Sequence, residues 1–177
     1  PDRIMVGEIR DGETAEIAVQ AALTGHLVFT TVHANNVFDV IGRFMHMGID
    51  PYNLVAALNG VVAQRLVRMN CPQCSVAVTP DAALIAESAL GDVSRFAFRA
   101  GTGCGHCRGS GYKGRRAVAE VLLLDDEVRE LILARAPVRA VREAARRRGF
   151  RSLREAVIEL VAIGDTTVEE LNRVTLR

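Results

Sequence analysis

The chain begins with a predicted strand, helix and second strand, and this order within the first 33 residues constrains the fold more than any other feature. The apolar run 3–6 lacks polar alternation, which predicts a strand buried on both faces. Asp11 is suited to cap a helix that ends at Gly25. The β-branched and aromatic run 27–32 predicts a second strand, which we expect to end at His33.

Glu8 and His33 follow the two predicted strands and are expected at one edge of one sheet. Strands joined by a crossover helix run parallel, so their carboxyl ends meet there, where open α/β sheets bind ligands. A carboxylate at this edge can accept a proton from an attacking water, and an imidazole can contact an anionic group. The pair is a candidate catalytic site, with a solvated acid at a strand end as the simpler alternative.

Composition narrows the class of protein. The chain has 177 residues, is 49% apolar and carries a net charge of +1, which is typical of one or two compact domains. The charge balance and the small number of aromatic residues argue against a nucleic-acid surface. No apolar run reaches the roughly 18–20 residues of a membrane span, so we expect a soluble, cytoplasmic protein. Because Pro1 directly precedes a strand, we expect the chain to be a fragment.

Two more helices are predicted after His33. The first covers residues 37–48 and ends at Gly48, since its apolar side chains recur at helical spacing. The second is expected to start at Pro51 and to continue through residue 66 along an apolar stripe. Arg65 and Arg68 lie off this stripe. The sequence leaves open whether they are simply exposed, neutralise phosphate or bridge subunits.

The four cysteines form two Cys-x-x-Cys pairs, Cys71 with Cys74 and Cys104 with Cys107. Thiolates at this spacing converge on a tetrahedral metal, usually Zn²⁺, and such closed sites are structural. Two disulfides are disfavoured without a secretory signal, and a redox pair does not need a second pair of the same form. We therefore predict a structural zinc site of four sulfurs, with His106 outside it.

The rest of the chain predicts a strand followed by short helices. The strand covers residues 118–124, and Asp125 or Asp126 caps the next helix. Pro137 is expected to end or interrupt that helix. A capping box at residues 152–155 starts a later helix, and the motif is expected again at residues 167–170. The arginines at 146–148 favour a solvated helix end over a nucleic-acid contact.

A resemblance to the secretion ATPase superfamily, the motors of type II secretion and type IV pilus assembly, extends over almost the whole chain. It is carried by the Walker B and histidine-box string IMVGEIRDGETAEIAVQAALTGHLVFTTVHANN and by both cysteine pairs. Residues 111–115 also match the tetracysteine lobe of the assembly and secretion branch, whereas Arg116, Ala117 and Ala119 depart from its pattern. The resemblance implies that Glu8 activates water and that His33 lies near the nucleotide phosphates.

The resemblance also implies an α/β fold with three parts. Residues 1–69 would be part of a RecA-like P-loop NTPase parallel sheet, residues 70–116 an inserted tetracysteine zinc lobe, and residues 117–177 a strand plus a C-terminal helical subdomain. It further implies ATP and Mg²⁺ as ligands of the intact protein and a homohexamer. The motor would lie in the cytoplasm, peripheral to the inner membrane, through secretion or pilus platform proteins.

The sequence contains no G-x-x-x-x-G-K-[ST] string, and therefore no loop of this type to bind phosphates. We predict the C-terminal portion of an ATPase for type II secretion or type IV pilus assembly, which does not hydrolyse ATP appreciably on its own. The alternative is a non-catalytic, zinc-stabilised protein-interaction module. A zinc-ribbon nucleic-acid binder is a weaker third hypothesis, because the charges are balanced.

Overall fold

Strands and helices are interspersed along residues 2–175, the part of the chain that the computed structural model describes, and the C-terminal part is helical. The strands are β1 (Arg3–Val6), β2 (Leu27–Thr30), β3 (Gly60–Asn70), β4 (Ser75–Ala77), β5 (Arg99–Gly101) and β6 (Tyr112–Leu123). The helices are α1 (Gly12–Leu23), α2 (Val37–His46), α3 (Pro51–Ala57), α4 (Ala82–Glu87), α5 (Asp126–Leu133), α6 (Val138–Arg147), α7 (Leu153–Ala162) and α8 (Val168–Val174). None of these helices is long and apolar enough to cross a membrane.

β1 and β2, which precede and follow α1 in the sequence, pair in parallel, and this confirms the α/β prediction for the start of the chain. β2 ends at Thr30 and not at His33. The prediction that β1 is buried on both faces is wrong, because Met5 is 69% exposed and its partner Phe29 is 54% exposed. Exposed and half-buried residues alternate along both strands, so one face of this pair, with Met5, Leu27 and Phe29 beside Arg3, is largely apolar and exposed.

The long helix predicted from Pro51 to residue 66 is also wrong. α3 ends at Ala57, and the following residues form β3. The apolar stripe fitted a helix, but burial alternates from residue 60 to residue 67 with the period of a strand. Gly60 is a poor helix former, and the adjacent β-branched Val61 and Val62 favour a strand.

Most predicted helix ends agree with the structure. Asp11 caps α1, and Gly25 follows it with φ +100°, a conformation that favours glycine. Asp125 caps α5, and the capping box of Ser152 with Glu155 starts α7. The remaining differences are that β6 begins at Tyr112, that Pro137 lies just before α6 and that α8 lacks the second half of its predicted capping box.

The described residues divide into two compact units. The first unit (2–63 and 120–150) has a core of apolar side chains from α1, α2, α3, α5, α6 and the end of β6. The second unit (64–119 and 151–175) contains the four cysteines, the antiparallel pair β4–β5, and helices α4, α7 and α8. β3 pairs with β6. The three-part division at 69/70 and 116/117 remains a prediction, and its end residues Pro1, Leu176 and Arg177 lie outside the described residues.

Candidate functional site

Glu8 and His33 lie just past β1 and β2, where the two segments still run side by side. The Ile9 backbone N–H donates to the Thr31 carbonyl at 3.0 Å, and the Thr31 hydroxyl donates to the Gly7 carbonyl at 2.7 Å. These bonds continue the parallel arrangement beyond the strands. The structure thereby brings the two predicted residues together, with His33 Nε2 2.6 Å from Glu8 Oε1.

The loop that carries His33 is anchored where α2 begins. The Asn36 side chain caps α2, and the buried Glu120 accepts the Val37 backbone N–H at 2.9 Å. A carboxylate at this position also complements the helix dipole. The His33 side chain is 81% exposed, so the loop is held at its end while the imidazole is accessible to a ligand. Sequence reasoning did not find this contact, because Glu120 lies 83 residues from Val37.

The two oxygens of the Glu8 carboxylate have different surroundings. Arg10 donates from Nε to Oε2 at 2.5 Å, and its Nη2 lies 2.5 Å from the same oxygen. Oε1 is shielded from solvent and accepts no hydrogen bond from residues 2–175, although His33 Nε2 lies within ion-pair distance of it. Glu8 therefore has one oxygen held by Arg10 and one oxygen that faces His33.

The charges around Glu8 favour its ionised form. The Arg10 hydrogen bond holds the pKa of Glu8 below its ordinary value, against the opposing effect of partial burial, and the charges of Arg10 and His33 act in the same direction. We did not assign Arg10 a role from the sequence. Its position two residues after Glu8 in an extended segment was the available signal, because such residues point to the same side.

The four cysteine sulfurs lie together in the second unit, all within 4.8 Å of one another. Three separations are 3.9 Å for Cys71–Cys104, 3.8 Å for Cys74–Cys107 and 3.8 Å for Cys104–Cys107. A tetrahedron with Zn–S bonds of about 2.3 Å has edges of about 3.8 Å. These distances also exceed a disulfide bond of about 2.05 Å, and all four cysteines are free. The donor set and its spacing therefore fit a tetrahedral metal.

Backbone groups support this cluster. The N–H groups of Cys104 and Gly111 donate to the Cys107 sulfur at 3.2 Å and 3.3 Å. Burial raises the pKa of the Cys107 thiol, but these two donors together with the neighbouring Cys104 and Cys74 thiols lower it by more, so that the pKa lies below its usual value. The backbone also crosses itself closely here, since a Cβ on Gly101 would lie 2.1 Å from the Gly111 carbonyl oxygen. His106 is exposed and is not a member of the cluster.

A buried carboxylate accounts for Arg68, whose role the sequence left open. Glu170 is fully buried, and it accepts hydrogen bonds from the Arg68 Nε and backbone N–H, each at 2.8 Å. Arg173 binds the same carboxylate, and the Arg68 guanidinium lies 4.3 Å from the centre of the Tyr112 ring. Arg68 therefore has a structural partner within the second unit. The Arg65 side chain donates to the Gln64 carbonyl at 2.9 Å.

Comparison with known proteins places the chain in a family. Residues 1–173 match the family model described as "Type II/IV secretion system protein". The type IV pilus assembly ATPase PilB of Thermus thermophilus is 47% identical over 173 residues, covering 97% of this chain and 20% of that protein. The type II secretion system protein E of Pseudomonas aeruginosa is 44% identical over 175 residues, covering 99% of this chain and 35% of that protein.

Solved structures share the fold. The pilus retraction motor PilT with bound ADP has a TM-score of 0.66 at 23% identity, over all of this chain and 40% of that one. The Legionella pneumophila ATPase DotB has a TM-score of 0.62 at 23% identity, over 98% of this chain and 38% of that one. The chain thus spans about a fifth to a third of the two curated relatives. It belongs to the family of type II/IV secretion system proteins.

Proposed function

We propose that this chain is the part of a secretion or pilus-assembly ATPase that supplies the catalytic glutamate and a zinc-stabilised lobe. The names of the relatives support an ATPase of type II secretion or type IV pilus assembly. In the intact protein, β1, α1 and β2 would belong to a RecA-like sheet. The intact protein would be a cytoplasmic homohexamer that binds ATP and Mg²⁺ and engages platform proteins at the inner membrane.

The observation that carries this proposal is the contact between Glu8 and His33 at the carboxyl ends of two parallel strands. Such an edge is the usual ligand site of α/β sheets. Phosphoryl transfer needs a residue that orients the attacking water and takes its proton, and an ionised carboxylate with an accepting oxygen meets that need. The exposed His33 would face the nucleotide phosphates, which the phosphate-binding loop of the intact ATPase would hold.

The test is ATP hydrolysis by the full-length gene product with Glu8 replaced by Gln. The substitution keeps the size of the side chain and removes its ability to accept a proton. We expect kcat to fall about 100-fold or more, as for loss of a general base. Glu16→Gln removes the same charge from an exposed position on α1 and should leave kcat unchanged. Hydrolysis by Glu8→Gln at the wild-type rate would refute the proposed role.

The second part of the proposal is that Cys71, Cys74, Cys104 and Cys107 hold one structural Zn²⁺. Four thiolates fill a tetrahedral coordination sphere, so the ion would stabilise the surrounding backbone and leave no position for a substrate. The separations of 3.8–3.9 Å between sulfurs support this assignment. A non-catalytic, zinc-stabilised interaction module is the alternative function, and it would be favoured if the full-length protein held zinc but did not hydrolyse ATP.

Metal analysis of the purified protein tests the zinc site. We expect about one zinc per chain and a loss of most of it in Cys107→Ser, because three ligands bind Zn²⁺ far more weakly than four. His106→Ala is the matched control, since this exposed residue lies between two of the ligands without joining them. Zinc retention in Cys107→Ser, or its loss in His106→Ala, would contradict the assignment.

A further inference from the structure

The contact between Arg10 and Glu8 is one-sided. Both the Nε and Nη2 atoms of Arg10 lie 2.5 Å from Oε2, whereas Oε1 accepts no hydrogen bond from the described residues. Oε2 accepts one hydrogen bond and makes a second close ion-pair contact with the same guanidinium, which leaves it little capacity for a further partner. Arg10 therefore makes the two oxygens of Glu8 chemically unequal.

The backbone on both sides of Arg10 is anchored. Ile9 is 2% exposed and is hydrogen-bonded to Thr31, and Asp11 accepts the Thr14 N–H at 2.9 Å as the cap of α1. Arg10 thus projects from a short segment held at each end. Its side chain is 75% exposed, and an ion pair this exposed contributes little to folding stability. A function at Glu8 accounts for this geometry better than a contribution to stability.

We propose that Arg10 is a positioning residue that holds Oε2 of Glu8, so that Oε1 takes the proton of the attacking water once the exposed His33, which lies 2.6 Å from Oε1, turns toward the phosphates. This inference rests on the proposed function. In the step, the O–H bond of water breaks and its proton passes to Oε1. The water oxygen bonds to the γ-phosphorus, and the bond to the bridging oxygen breaks, with its electron pair leaving on ADP.

Orientation is the effect that matters at neutral pH. A glutamate with an ordinary pKa is already ionised there, so Arg10 is not needed to keep the carboxylate charged. Arg10 and His33 are the titratable groups that face Glu8. Because His33 contacts Oε1 and Arg10 holds Oε2, loss of Arg10 would let the carboxylate turn and lose its alignment with water.

The experiment is steady-state ATP hydrolysis by the full-length protein carrying Arg10→Ala. We expect kcat to fall about 10- to 100-fold through misorientation, with KM nearly unchanged. The acidic limb of the kcat/KM profile should move to higher pH, because the lowered pKa of Glu8 returns toward 4.5. Arg10→Lys should restore the position of this limb but not the rate, since an ammonium cannot reproduce the fork of the guanidinium. Arg43→Ala, at an exposed position on α2, should leave both quantities unchanged.

A double variant shows whether Arg10 acts through Glu8 or directly on the nucleotide. In a Glu8→Gln chain, Arg10→Ala should cause no further loss, because residues that act as a unit are not additive. A further loss there, an unchanged kcat in Arg10→Ala or an unmoved acidic limb would overturn the inference. If Glu8→Gln were inactive and Arg10→Ala fully active, this inference alone would fail. Full activity of Glu8→Gln would refute the proposed function as well.

Discussion

Replacing Glu170 by Gln removes the buried negative charge that pairs with Arg68 and Arg173 in the second unit. Burial raises the pKa of Glu170, but the hydrogen bonds from Arg173 and Arg68 lower it from 4.5 to about 2. That difference corresponds to about 3 kcal/mol of folding stability at neutral pH. Breaking a buried ion pair costs about 3–5 kcal/mol. The Arg68 and Arg173 side chains are 40% and 51% exposed and can be rehydrated, so we expect the lower value.

The buried Glu170 carboxylate also predicts that its contribution to folding stability falls as the pH is lowered. Because the pKa of Glu170 is lower in the folded chain than in the unfolded one, its contribution is complete above pH 4.5 and is lost as the pH falls toward about 2. At about pH 3.5, roughly 2 of the ~3 kcal/mol should remain. The stability difference between the wild type and Glu170→Gln should therefore narrow by about 1 kcal/mol between neutral pH and about pH 3.5.

Urea unfolding followed by far-UV circular dichroism measures this difference at both pH values. Glu169→Gln is the matched control, because this neighbour on α8 is exposed and should change stability by less than about 0.5 kcal/mol. A difference below about 1 kcal/mol at neutral pH, or one that does not narrow in acid, would refute the assignment of a stabilising buried charge.

Two further predictions concern the backbone around the four cysteines and the core of the first unit. Gly101→Ala should lower stability by at least about 2 kcal/mol and release zinc at a lower chelator concentration, because its Cβ would lie 2.1 Å from the Gly111 carbonyl oxygen. Gly105→Ala is the control, because a Cβ added there would meet no atom within 4 Å. Equal effects of the two substitutions would show that the backbone at Gly101 and Gly111 does not pass as closely as the structure indicates. Leu122→Ala should cost about 2–5 kcal/mol in urea unfolding, since Leu122 is 1% exposed. Leu123→Ala, at the neighbouring position that is 71% exposed, should lower the free energy of unfolding far less. A larger loss in Leu123→Ala than in Leu122→Ala would show that β6 presents its other face to the core.

Local interactions explain what could be predicted about the fold. The capping side chain of Asp11 and the capping box of Ser152 with Glu155 involve partners three residues away, so the sequence displays both members. The parallel pairing of β1 and β2 followed from the crossover helix between them. The same reasoning failed at β3, because its apolar residues satisfy a helical and an alternating pattern at once.

The sequence alone determined the chemical groups of the site: an acid after one strand, an imidazole after the next, and two thiol pairs at ligand spacing. Only the tertiary structure decided which distant groups meet. Arg68 and Glu170 are 102 residues apart, and Val37 and Glu120 are 83 apart. Contacts at such separations depend on how elements pack, which short-range propensity and spacing do not encode. Arg10 was missed despite being two residues from Glu8, because the orientation of its side chain depends on an extended backbone held by Thr31 across the sheet edge.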